Sequence, residues 1–112
     1  MQISTRPSII DDDLKQIYIR VVSDRFSIKI ITSIINNSKT AVEISKETSI
    51  PISTVYRRLK FLEENKLLKV SGGINKDGKF FVYQSRIKEV EITFNGQSIR
   101  VSVTPNLNFT IK

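Results

Sequence analysis

Cysteine, histidine and tryptophan are all missing from the 112 residues of this chain. Without cysteine there is no disulfide framework and no thiolate to bind a metal or attack a substrate. Without histidine there is no imidazole ligand, no imidazole general base and no switch titrating near neutral pH. The remaining titratable groups form no recognisable catalytic spacing, so no enzyme activity, metal or cofactor is expected. No apolar run approaches the roughly 18 residues that a membrane-spanning helix needs, and the first ten residues lack the long apolar core of a signal peptide. A soluble cytoplasmic protein is expected. Glycine occurs four times and proline three, so each occurrence says something about a turn. The length suits one domain with a modest core and no second catalytic or ligand-binding domain.

Positive charge is what the chain has in excess: its net charge is +7 and its pI near 9.9. The excess is local. Residues 51–88 hold nine Lys or Arg against three acids, whereas residues 1–50 hold seven against six. A basic region of this kind is an electrostatic footprint for a polyanion.

The most informative stretch lies at Thr40–Leu68, TAVEISKETSIPISTVYRRLKFLEENKLL. Thr40 and Glu43 stand in capping-box spacing, which starts a helix. That helix would bury Ala41, Ile44 and Val42 and stop near Thr48, because the residue before Pro51 is pushed out of helical geometry. Pro51 suits the first position of the next helix, where its missing N–H has no partner to lose. This second helix is expected from about Ile52 to Asn65. Val55, Leu59 and Leu62 form its buried stripe, with Ser53, Thr54, Arg57, Arg58 and Lys60 on or beside the opposite face. Such a stripe backed by a basic, hydroxyl-rich face suits insertion into a groove of DNA.

Two strand-like runs follow, Leu67–Ser71 and Lys79–Ser85, joined by GGINKDG, whose Asp77-Gly78 pair suits a primed hairpin turn. This reads as a wing, with Lys76 and Lys79 near its tip and within reach of phosphates.

Upstream, Leu14, Ile17, Tyr18, Val21 and Val22 recur with helical spacing after Asp11, Asp12 and Asp13, so a helix is expected over Asp12–Val22 with its acids in the first turn. The three acids have a second reading as a hard-cation cluster. Ser23 and Asp24 can cap the next helix, whose Ile28, Ile31 and Ile35 lie on one line and Phe26, Ile30 and Ile34 on another. Downstream, Val90, Ile92 and Phe94 alternate with polar residues, Asn95-Gly96 makes a turn, and Ile99, Val101 and Val103 alternate again. A C-terminal hairpin with one apolar face is expected there.

From Asp12 to Ser85 the chain resembles the winged helix-turn-helix transcription regulators, most closely the ArsR-type group, while IPISTVYRRL resembles the recognition helix of IclR-type regulators. DLKQIYIRVVSD resembles the family's first helix, FSIKIITSII the second, AVEISKET the positioning helix and ISTVYRRLKFLEEN the recognition helix. The resemblance implies DNA contacts at Ser53, Thr54, Tyr56, Arg57 and Arg58, with the wing near Lys76. Tyr56 has two readings, stacking on sugar or base and resting against the positioning helix. Three positions depart from the pattern. Ser49 and Lys66 stand where glycine is usual, and Ser27 where the ArsR group has arginine. Asn65 is a neighbour able to take the left-handed backbone in place of Lys66. The thiolate metal sensors of many ArsR-type proteins are impossible in a chain without cysteine.

The expected fold is therefore α+β: a winged helix-turn-helix of about four helices plus a β-hairpin wing, with an extra C-terminal β-hairpin. Residues 1–11 would be an N-terminal segment, 12–85 the DNA-binding domain, 86–104 a hairpin for packing or dimerisation and 105–112 a tail. The expected function is sequence-specific binding of double-stranded DNA by a cytoplasmic, nucleoid-associated homodimer that regulates transcription, by family habit as a repressor. Arg57 and Arg58 would contact guanine, and Ser53, Thr54 and Lys60 phosphate or adjacent base edges. Two other readings use the same residues: a chromatin-like protein that coats DNA, and a winged helix that contacts another protein.

Overall fold

The computed structural model describes Ser8–Ile9 and residues 12–107. The chain order is β1 (Ser8–Ile9), α1 (Asp12–Val22), α2 (Arg25–Ser33), α3 (Ala41–Thr48), α4 (Ile52–Glu64), β2 (Leu68–Asn75), β3 (Gly78–Ser85), β4 (Ile87–Phe94) and β5 (Ile99–Pro105). This is the expected α+β arrangement, four helices followed by two separate antiparallel hairpins. The short β1 was not foreseen: it pairs with β5 and extends the second hairpin to a three-stranded sheet ordered β1-β5-β4. Asp11 lies outside the described residues. Its neighbour Asp12 forms an ion pair with Lys15 at 3.0 Å.

One core joins all four helices to the roots of both hairpins. Tyr18 and Val21, Ile30 with the cap residue Ile34, Ala41 and Ile44, and Val55, Leu59 and Leu62 come from successive helices. Leu68 and Ile87 enter from the strands, with Val101 and Val103 from β5. The helical stripes read from the sequence lose members at their edges: Leu14 is 41 % exposed, Ile28 43 % and Val42 50 %.

A polar hub fastens the hairpin roots to the end of α2. The Ser85 backbone N–H donates to the Ile34 carbonyl at 2.9 Å. The Asn106 side-chain amide donates to the carbonyls of Ile35 and Ser85 at 2.7 and 2.8 Å, and its backbone N–H to that of Arg86 at 2.8 Å. Helix ends leave carbonyls without intrahelical partners, so these donors do for α2 what a C-cap would. The expected tail at 105–112 is corrected in its first part. Pro105 belongs to β5 and Asn106 is fully buried, because a carboxamide is needed at that place; residues 108–112 lie outside the described part.

Both turns differ in detail from expectation. The β2–β3 hairpin stays paired out to Asn75↔Gly78, so Gly72 and Gly73 are strand residues and the turn is Lys76-Asp77. Gly78 has φ +109° but neither turn residue has a positive φ, which excludes the primed turn. The Asn75 side chain instead accepts from the Asp77 backbone N–H at 2.9 Å. In the second hairpin Asn95 opens a four-residue loop, with its side chain accepting from the N–H groups of Gln97 and Ser98.

Candidate nucleic-acid interface

The α3–turn–α4 unit is fixed by short-range chemistry. The Thr40 hydroxyl accepts from the Glu43 N–H at 3.1 Å, and the Glu43 carboxylate accepts from the Thr40 N–H at 2.8 Å, closing the capping box. In the turn, Ser45 donates to the Ile50 carbonyl at 2.6 Å while the Ile50 side chain is buried as a plug. Helix α4 opens at Ile52 as expected, and Pro51, with ψ 141°, is the residue before the helix and not its first position.

Ser49 (φ 62°) and Lys66 (φ 63°) are the only non-glycine residues with left-handed backbone among those described. They are the two positions where the resemblance leads one to expect glycine. The backbone shape is thus kept at both, at the steric cost that a Cβ brings. Lys66 takes it itself; Asn65, expected to do so, has φ −97°.

Along α4 the buried edge is Val55, Leu59 and Leu62, as the spacing indicated. Ser53, Tyr56, Arg57 and Lys60 are exposed and Thr54 is half-buried. The Arg57 guanidinium donates to the Thr54 hydroxyl at 3.2 Å, which orients it along the outer face of the helix.

Arg58 behaves differently from its neighbour. Its Nε and Nη2 donate to the two carboxylate oxygens of Asp24, at 2.6 and 3.3 Å, and its guanidinium stands 5.6 Å from the Phe26 ring centroid. Asp24 also caps α2, accepting from the Ser27 N–H at 3.1 Å and its hydroxyl at 2.7 Å. The guanidinium of Arg58 holds the Asp24 carboxyl well below the usual carboxylate range, assisted by the Ser27 bonds and opposed by burial. Arg58 is in turn raised. Two of the five donors that Arg58 would bring to guanine are therefore engaged by a carboxylate of the same domain, and its Nη1 edge is left for any further contact. Ser27 is buried beside this pair, so the cation at this junction comes from α4 and not from position 27.

One basic residue was missed. Arg20 of α1 lies with its guanidinium 4.2 Å from the Phe61 ring centroid, and with Arg57 it borders a cleft of about 540 Å³ along α4. Its place on the polar side of α1 was visible in sequence, but its nearness to α4 was not.

On the other side of α4 the wing stands away from the helices. Its root is tied down by paired backbone bonds between Lys39 and Tyr83, at 3.0 and 2.8 Å. Lys76 and Lys79 are exposed at its end, as expected. Between wing and helices runs a cleft of about 480 Å³, lined among others by Val42, Tyr56, Lys79, Phe81 and Tyr83. Tyr56 shares this cleft with Ala41 and Val42 of α3 and is half exposed, so it lies beside the positioning helix with part of its ring open to solvent. Burial, then the Glu63 carboxylate and the Tyr56 phenol, push the Tyr83 phenol above its ordinary value.

Among the described residues no helix is long and apolar enough to cross a membrane. No family model matches this chain, and neither a curated protein nor a solved structure shows significant similarity to it.

Proposed function

We propose that the chain is a sequence-specific, double-stranded DNA-binding transcription regulator that acts as a homodimer, in the first instance as a repressor, and has no catalytic role. The observation that carries this reading is the exposed row Ser53, Tyr56, Arg57 and Lys60 on a helix held by a capped helix-turn-helix, with Lys76 and Lys79 exposed on the adjacent wing. In this reading α4 enters the major groove, Arg57 makes the bidentate contact to guanine, Ser53, Thr54 and Lys60 meet phosphate or base edges, and the wing lysines meet phosphates alongside. A second copy would meet the first on the C-terminal hairpin, whose outer half leaves Ile92, Phe94 and Ile99 exposed on one face. Two recognition helices so related read half-sites roughly 34 Å apart, giving a near-palindromic operator.

The test is fluorescence anisotropy on the promoter of the protein's own gene and on a shuffled duplex, at several salt concentrations. A preference of about a thousandfold or more supports the specific regulator. Similar affinities with a steep salt slope support a protein that coats DNA. One observation favours that second reading: Arg58 is tied to Asp24 through Nε and Nη2, so Arg57 is the arginine of α4 that is free of an ion pair to read a base.

A further inference from the structure

The cleft between α4 and the wing has chemistry that a duplex does not use. In the proposed docking, a phosphodiester ridge lies between a helix in one groove and a wing beside it, and such a ridge is best met by cations and backbone N–H groups. The cleft walls instead mix rings and apolar groups with polar ones, Thr40, Asn75 and the Asp77 carboxylate among them, and Lys79 is the cation that lines it. Tyr56 is 51 % exposed, Phe81 50 % and Val42 50 %, with Tyr83 at the base and the ammonium of Lys79 at the rim.

The openness of Phe81 is built into the hairpin. Directly opposite residues of an antiparallel pair share a face, so Val70 and Tyr83 at the root lead out to Gly72 and Phe81 and then to Ile74 and Lys79. Because Gly72 has no side chain, the Phe81 ring lies against the opposite strand; a Cβ at that glycine would stand 3.3 Å from two ring carbons. The residue directly opposite the ring contributes no side chain to cover it. A volume of about 480 Å³ falls within the roughly 300–1,000 Å³ of small-molecule pockets, enough for a base with its sugar.

We propose that this cleft is a stacking site for an unpaired nucleobase, with Phe81 and Tyr56 contacting the base and Lys79 its phosphate, so that the protein holds single-stranded or locally opened nucleic acid as well as duplex. Exposed rings beside cations are how proteins hold single strands, since every base has a π-face. The inference rests on the nucleic-acid reading given above and adds a second ligand form.

The test compares labelled dT15, a 15-nucleotide abasic strand of equal charge and a mixed-sequence duplex, by anisotropy at fixed salt, on the wild type and on Phe81→Leu. The wild type is expected to prefer dT15 over the abasic strand by roughly 5- to 100-fold, the range for one base–ring stack. Phe81→Leu is expected to remove that preference while its affinities for the abasic strand and the duplex stay within about twofold. Equal wild-type binding of dT15 and the abasic strand overturns the inference, and needs no variant to fold. So does a Phe81→Leu loss that is the same on all three probes. If the duplex is bound but dT15 has no advantage over the abasic strand, the stacking site falls alone; if none of the three is bound, the DNA reading falls with it. Running rU15 beside dT15 tells RNA from DNA as the source, and a preference for either over the abasic strand upholds the stack.

Discussion

The β2–β3 and β4–β5 hairpins each bury their root in the same core, yet their outer halves carry opposite chemistry. The wing ends in Lys76 and Lys79 and turns a ring-lined side toward α4. The C-terminal hairpin ends in a neutral loop, with Ile92, Phe94 and Ile99 exposed on one face and Glu91 and Arg100 on the strands beside them. Two antiparallel hairpins of similar length are thus distinguished by what lies beyond the last core contact. Cations next to a basic helix fit a polyanion, whereas a bare apolar face away from it fits a protein surface. The comparison teaches that function here is written in the outer halves and stability in the roots, and each prediction sets one against the other.

The largest effect is expected at the shared root. Asn106→Ala removes donors from the buried carbonyls of Ile35 and Ser85. The Ile35 carbonyl keeps a longer bond from the Gln84 amide at 3.2 Å, so the loss of the two Asn106 bonds should cost about 1–3 kcal/mol, read as a lower denaturation midpoint at unchanged slope. A change under about 0.5 kcal/mol would mean that the hub does not join the hairpins to α2 as described.

Next comes Phe94→Glu on the outer half of the second hairpin. It should leave the denaturation midpoint within about 0.5 kcal/mol, as surface changes usually do, and convert a dimer to a monomer in sedimentation. Loss of fold would place Phe94 in the domain's own packing. An unchanged sedimentation coefficient would remove this face from the proposed dimer.

The adjacent arginines sharpen the same contrast within one helix. Arg57→Ala should cost about 1–3 kcal/mol on a cognate site with little change in stability. Arg58→Ala should lower stability, by about 1 kcal/mol for a bidentate pair whose side chains are 30 % and 29 % exposed. The Asp24 partner allows a pH test. Its folded-state carboxyl is held below the ordinary value, near 3.9, that it has when unfolded, so its contribution is present above about pH 4 and is lost as the pH falls through the folded value. Asp24→Asn keeps a capping side chain but not the charge. Its stability deficit should therefore be full at neutral pH and shrink on acidification; a deficit independent of pH would show that the ion pair is not its source.

What could be read in the sequence is what neighbours in the chain decide. The capping box at Thr40 and Glu43, the α4 stripe and the bounds of α1 follow from spacings of three or four residues, and the structure has each. What escaped depends on contacts across the chain. Arg58 meets Asp24 over 34 residues and Asn106 meets Ile35 over 71, and no local pattern separates Arg58 from Arg57 or marks Asn106 as buried. The glycines of the wing lie between these cases. Their pairing with Phe80 and Phe81 was within local reach, but the Asp77-Gly78 signal placed them in the turn.

The smallest effect should come from the wing tip, and its shape matters more than its size. Lys76 lies in the exposed turn, far enough from the core that its removal leaves the fold alone. If it meets one phosphate, Lys76→Ala should weaken cognate and random duplexes equally and reduce the salt slope by about 0.9, the share of one released counterion. Arg57→Ala should instead weaken the cognate site more than the random one. The pair of slopes separates a reading helix from a positioning wing. Identical behaviour of both variants on both duplexes would leave only a uniform basic surface, and the coating protein would then be the better account of the charge gathered between residues 51 and 88.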